Sequence, residues 1–194
     1  MRNQSKIINE LTDYELKVQL VISQLILIIT SIIMSYFLFE SFLQWTDYFI
    51  FSYSEIFYFG VIPGLIIVLI DLICIRVFPK KFYDDGGINQ RIFENRSVSE
   101  IFLIAFLVAV AEELLFRGVI QTTFGYIIAS TLFALIHFRY LKKPVLLLSI
   151  LFISFYIGYL FVLTENLLVT IIAHFIVDFI LGLVIRFSKK RWII

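Results

Sequence analysis

The chain has 194 residues, 61% hydrophobic and 16% charged, with a formal net charge of +1 and a mean hydropathy of +0.98. Ordinary soluble domains are about 45–50% apolar and about 25% charged, so the composition excludes a soluble globular domain and predicts an all-α, polytopic transmembrane helix bundle. The single cysteine, Cys74, excludes an intramolecular disulfide and a multi-cysteine zinc site; the net charge says nothing about nucleic acid, and no nucleic-acid partner is expected.

The first 17 residues are polar and mixed in charge, and no small-residue cleavage site follows the first apolar run, which predicts no removable signal peptide. A span needs about 20 mostly apolar residues. Six membrane helices are predicted, at 18–39, 56–78, 98–124, 126–139, 145–163 and 167–187. Residues 40–55 are rich in aromatics and suit an interfacial connection. Pro63, early in the second helix, predicts a kink, while Pro79 with Lys80-Lys81 ends that helix and Pro144 suits the first turn of the fifth. The linker from Lys80 to Ser97, with Asp84-Asp85-Gly86-Gly87, reads as a turn and surface loop. The chain thus divides into two N-terminal membrane helices with a cytoplasmic loop (1–97), a helical core (98–187) and a basic tail (188–194).

With alternating spans, Arg2, Lys6, Lys17, Arg76, Lys80, Lys81, Arg91, Arg96, Arg139, Lys142, Lys143, Arg186, Lys189, Lys190 and Arg191 fall on one side of the membrane and Arg117 alone on the other. The positive-inside rule then puts both termini in the cytoplasm.

The chemistry concentrates in the third helix, where Glu112, Glu113 and Arg117 follow the apolar run 101–110. Ionisable groups in hydrocarbon are costly and usually face a protein interior. Glu113 and Arg117 stand four residues apart, on one helical face, with the acid N-terminal to the base. Glu112 points about 100° away from Glu113. Phe133 with His137, and His174 with Asp178, repeat the same spacing, so Asp178 can hold the His174 imidazole or share a polar target with it.

Depth agrees. Glu112 lies 13 residues before Gly125 and His137 lies 12 after it, so a helical hairpin sets both about 18–20 Å below that turn. His174, 8 residues beyond Asn166, lies about 12 Å from its own turn. The helix at 126–139 is short for a crossing and needs a tilt or an end in a water-filled cavity. Asp71 reads as a cavity-facing or Arg76-paired acid outside this set, and Cys74 as a small buried hydrophobe. The 22 phenylalanines and 10 tyrosines read as lipid-facing or interfacial bulk.

Glu-Glu-x-x-x-Arg, Phe-x-x-x-His and His-x-x-x-Asp, in this order within apolar helices, resemble the motifs of the CPBP family of intramembrane proteases. That family includes CaaX-processing Rce1-type endopeptidases and bacterial Abi proteins linked to bacteriocin processing or self-immunity. The resemblance covers about residues 98–187. Asp178 stands where many members carry asparagine, and the stretch between the first two motifs is short and lacks the usual basic residues. It implies that 98–187 is the catalytic core, with Glu112, Glu113, His137, His174 and Asp178 as the catalytic set and Arg117 and Phe133 as structural support.

Under this resemblance Glu112 is the general base for a water that His137 orients, and His174 and Asp178 lie near the developing oxyanion. Glu113 and Arg117 form a structural pair that fixes the helix end. A second version stays open, in which Glu112, His137 and His174 provide three ligands for Zn2+. The implied partners are membrane lipid and a hydrophobic peptide or membrane-anchored protein substrate, in a bacterial cell membrane. The charge count sets Glu112 and His174 nearer the non-cytoplasmic face, which favours a signal-like peptide or lipid-anchored precursor over a prenylated protein. The alternatives are a non-catalytic immunity or scaffold protein on the same fold and a proton-coupled transporter. The complete motif set argues against the former, and the absence of repeat symmetry and of Gly/Pro-interrupted helix pairs against the latter.

Overall fold

The computed structural model describes residues 11–188, without the side chains of 141 and 142. Arg2, Lys6, Lys189, Lys190 and Arg191, the side chain of Lys142 and all of the expected basic tail except Ser188 lie outside the described residues. Among the described residues all regular structure is helical.

Helix α1 (Asp13–Leu38) begins at a capping box. The Thr12 hydroxyl accepts from the Glu15 N–H at 3.2 Å, and the Glu15 carboxylate accepts from the Thr12 N–H at 2.7 Å. This cap, with Asp13 and Glu15 at the positive end of the helix dipole, recruits polar residues ahead of the apolar run and starts the helix earlier than hydropathy predicts. The aromatic connection that follows contains the short α2 (Gln44–Asp47). It does more than lie at an interface: the Trp45 indole N–H donates to Ser35 Oγ at 3.1 Å, and the Tyr48 carbonyl accepts from the Leu167 N–H at 2.8 Å. The stretch closes one end of the bundle.

Helix α3 (Tyr53–Val77) contains a π-helical segment, Ile56–Val61, immediately before Pro63. Proline has no N–H and its ring clashes with the carbonyl four residues back. Widening the preceding turn, where the Ile62 N–H reaches back to the Phe57 carbonyl, absorbs the misfit. The linker is not simply a loop. It holds a 3-10 turn, Lys80–Phe82, and a helix, α4 (Ile88–Phe93). The Asp85 carboxylate accepts from the N–H groups of Gly87, Ile88 and Asn89 and so nucleates that helix, and Ile88 and Ile92, one turn apart, are both buried.

Helix α5 (Val98–Glu113) also starts at a capping box, Ser97 with Glu100. It runs on through a π-helical segment, Leu114–Gln121, to Phe124. Gly125, at φ +91°, turns the chain into α6 (Tyr126–Ile136). A 3-10 turn, Phe138–Lys142, leads to α7 (Pro144–Thr164) with proline in its first turn, and α8 (Leu167–Phe187) starts at the Asn166 cap. Four of these helices, α1, α3, α7 and α8, are long and apolar enough to cross a membrane. The six apolar helices of the sequence reading are present, but α5 falls outside those four, and so does α6. Its eleven residues reach about 16 Å, roughly half of a ~30 Å core.

Helix α8 packs against α3, α5, α7 and α4. In lipid, close packing of small residues replaces the hydrophobic drive. A Cβ at Gly60 would stand 3.1 Å from the Val169 carbonyl, and one at Gly64 2.9 Å from the Ala173 carbonyl, so the two glycines let the backbones of α3 and α8 touch. The opposite helix faces expose large apolar side chains, among them Ile22, Ile26, Ile29 and Ile33 of α1. At one end of the bundle Arg91 pairs with Asp13 (2.9 Å) and Lys17 with Glu100 (2.7 Å), with Arg96 3.7 Å from Glu100. Lys17, Arg91 and Arg96, three of the fifteen basic residues expected on one side, lie together there.

Candidate active site

Glu112 and Glu113 occupy the last turn of α5, and Arg117 lies in the π segment beyond it. Glu113 and Arg117 are completely buried, and Glu112 and His174 nearly so. Arg117 Nε stands 3.2 Å from Glu113 Oε2, so the expected ion pair survives the change of helix type. Arg117 Nη2 donates to the Ser154 carbonyl on α7 at 3.1 Å, and Ser154 Oγ donates to the Ser130 carbonyl on α6 at 2.8 Å. The guanidinium also lies over the Phe133 ring, 5.0 Å from its centre. One buried cation thereby ties α5 to both neighbours.

Glu113 does more than face Arg117. Its Oε1 is 3.0 Å from His174 Nδ1, so the carboxylate bridges Arg117 and the imidazole of α8. A carboxylate partner makes Nδ1 the N–H donor, and Nε2 points away from Glu113. Nε2 lies 3.5 Å from Asp178 Oδ2 and 3.9 Å from Glu112 Oε2. Asp178 therefore approaches the far nitrogen, while Glu113 sets the ring's orientation. Of the two expected roles for Asp178, holding the His174 imidazole or sharing a polar target with it, the first is taken at Nδ1 by Glu113.

His137 follows the last residue of α6, where the backbone leaves the helix (φ −83°, ψ 42°). Its Nδ1 donates to the Phe133 carbonyl at 2.8 Å, which leaves Nε2 as the free nitrogen of a neutral ring. Phe133 is the packing hub. Its ring centre is 5.0 Å from that of His137, 6.0 Å from His174 and 5.1 Å from Phe116.

Glu112, His137, His174, Asp178 and Phe133 line one cavity of about 280 Å³. All of the expected site residues thus meet, at this cavity or directly behind it. The short α6 is what delivers His137 to it, which answers the expected need for an end in a cavity. Asp71, Ser149, Gln24 and Tyr140 also line the space. Asp71, which the sequence reads as a cavity-facing or Arg76-paired acid, faces the cavity, and its Oδ1 accepts from Ser149 Oγ at 2.5 Å. The signal for Asp71 and Gln24 was a polar residue in an apolar helix, the same signal that marks Glu112. Tyr140 follows a helix break and had no such mark; burial pushes its phenol above the ordinary range while Arg139 pulls it down.

Among the described residues no three His, Cys, Asp or Glu side chains are arranged to hold a metal ion. Each histidine commits Nδ1, one to Glu113 and the other to the Phe133 carbonyl, which leaves Nε2 as the nitrogen a metal would take. The Glu112, His137, His174 set is not gathered around one point as a zinc site requires.

A family model described as type II CAAX prenyl endopeptidase Rce1-like matches residues 94–180, a span that contains all three motifs. A protein of Bacillus subtilis (strain 168), "Uncharacterized protein YpbD", is 44% identical over 137 residues, which cover 71% of this chain and 72% of that protein. No solved structure matches. With its apolar helices and this match, the chain is an integral membrane protein. It belongs to the Rce1-like family of CPBP intramembrane proteases.

Proposed function

We propose that the chain is an intramembrane endopeptidase that hydrolyses a peptide bond in a hydrophobic or membrane-anchored polypeptide by means of a glutamate-activated water. The observation that carries this reading is the clamped His174. With Nδ1 held by Glu113, its Nε2 faces Glu112 and Asp178 in a cavity that also receives His137.

A water between Glu112 and His137 gives its proton to the Glu112 carboxylate and its oxygen to the scissile carbonyl carbon. The His137 Nε2 lone pair accepts the second hydrogen of that water and so orients it. The carbonyl oxygen becomes an oxyanion, and a protonated His174 donates Nε2–H to it, with Glu113 balancing the imidazolium charge. Glu112 then returns its proton to the leaving nitrogen as the C–N bond breaks, which yields a free carboxyl group and a free amine.

Access is read from the cavity wall. It runs from buried Glu112 and His174 to exposed Arg139 and to Asn89 of α4, toward the end where Lys17, Arg91 and Arg96 gather. If basic residues mark the cytoplasmic side, the substrate reaches the water from the cytoplasm. One reason for disfavouring a prenylated substrate, a site nearer the other face, then loses its support, while the expected bacterial membrane still speaks against one. A cytoplasmic tail next to a membrane anchor fits this cavity best.

The test compares membrane peptides in cells carrying the wild type and Glu112→Ala. The wild type is expected to produce cleaved fragments that the variant lacks. Identical peptide sets, with the variant keeping full biological activity, would move the protein to the non-catalytic immunity or scaffold reading.

A further inference from the structure

Next to the catalytic cavity lies a second one. It has a volume of about 370 Å³ and sits between the C-terminal half of α3 and the N-terminal half of α7. Ile70, Cys74, Phe78, Leu148 and Phe152 form its apolar wall. Ile70, Phe78, Leu148 and Phe152 are all exposed on the outer surface of the bundle. The two cavities share two residues, Asp71 and Ser149, the pair joined by the 2.5 Å hydrogen bond. Polar groups in an apolar wall are costly unless paired, and this pair stands where an apolar space meets the space that holds Glu112.

We propose that the recess between α3 and α7 is the subsite for a large apolar side chain of the polypeptide being cut, with the Asp71–Ser149 pair as the partition between subsite and catalytic cavity. This rests on the hydrolytic reading above. The occupant follows from continuity: a chain lying in the catalytic cavity can place a neighbouring side chain against or past this partition without leaving the protein. The Ser149 hydroxyl can swing away by a single χ1 rotation, which opens the partition without moving a helix. The recess lies outside the three motifs, so it decides which peptide is cut and not how.

Cys74, the single cysteine of the chain, lines the recess and reports its occupancy. The full chain carrying Glu112→Gln, expected to turn over at least about a hundredfold more slowly, is placed in phosphatidylcholine–phosphatidylglycerol vesicles, and N-ethylmaleimide labelling of Cys74 is timed. The probes are two synthetic peptides with a leucine-rich segment and a lysine-capped end, one with a central phenylalanine and one with alanine there. The phenylalanine peptide is expected to slow labelling and the alanine peptide to leave it unchanged. Ser149→Ala is expected to lower the peptide concentration needed for protection. Filling the recess with Cys74→Trp is expected to raise KM for the phenylalanine peptide by about tenfold or more with kcat held.

Equal labelling with and without the phenylalanine peptide overturns the proposal. So does shielding by vesicle lipid alone, which assigns the recess to bilayer lipid. Protection without any cleavage by the wild type supports the recess and counts against hydrolysis. Cleavage without protection does the reverse.

Discussion

Glu113 and His174, 61 residues apart, are joined by a 3.0 Å contact between Oε1 and Nδ1. The same carboxylate holds Arg117 at 3.2 Å through its other oxygen. This places a motif residue behind the catalytic cavity as the orienter of an imidazole, with the arginine as its counter-charge. The arrangement separates the two adjacent glutamates: Glu112 faces the cavity and Glu113 faces the bundle.

Removing one partner of a buried ion pair leaves a charge without compensation and costs about 3–5 kcal/mol, whereas replacing both with apolar groups is far milder. Glu113→Leu is therefore expected to destabilise more than the double variant Glu113→Leu/Arg117→Met. Unfolding by titration with sodium dodecyl sulfate, followed by circular dichroism, reads both. Equal losses would mean that the pair contributes nothing beyond bulk.

Glu112→Gln keeps the size and shape of the side chain and removes only the base. Proton transfer by a positioned group contributes about 10²–10⁴-fold, so peptide hydrolysis is expected to fall by at least about a hundredfold while the detergent unfolding midpoint stays in place. A variant with wild-type turnover would remove Glu112 from the reaction.

Gly118 lies under Trp45: a Cβ there would stand 2.7 Å from the indole ring. Gly118→Ala forces either the ring or the π segment to move, and overpacking of this kind costs about 1–3 kcal/mol. Trimming the ring should restore room, so Gly118→Ala/Trp45→Leu is expected to lose less than the sum of the two single changes. Additive losses in the same unfolding assay would show that the contact is not shared.

Gly64→Leu should be the most damaging change on α3. A Cβ meets the Ala173 carbonyl at 2.9 Å, and backbone cannot yield as a flexible side chain can. Forcing α3 from α8 also shifts the wall that carries Asp71. Both lower stability and a loss of hydrolysis are expected, and retention of hydrolysis would detach α3 from the site.

Chelation tests the donor geometry. Since no three donors among the described residues are arranged for a metal, peptide hydrolysis in vesicles is expected to persist after treatment with ethylenediaminetetraacetate and 1,10-phenanthroline. Loss with chelator and recovery with Zn2+ would show that the side chains rearrange around a metal.

The helices and the polar cluster were legible for the same reason: polar side chains are too costly in lipid to be scattered, so each one in an apolar helix carries position or chemistry. That logic located Glu112, Glu113, Arg117, His137, His174 and Asp178. It was equally available for Asp71 and Gln24, which lacked a motif partner one turn away. α4 was missed because a six-residue helix has too little periodicity to stand out, although Asp85 and the Ile88, Ile92 spacing were its marks. The π segment of α5 had no local mark at all.

What the sequence by itself determined is the set of apolar helices and the one-turn pairs along them, since both depend on contacts within about four residues. Which nitrogen of His174 meets which carboxylate, and that Asp71 shares walls with two cavities, was decided only when α3, α5, α7 and α8 came together. The reason is geometric: spacing along a helix fixes a direction around its own axis, whereas a distance between side chains of different helices depends on how closely their backbones approach, as Gly60 and Gly64 set it between α3 and α8.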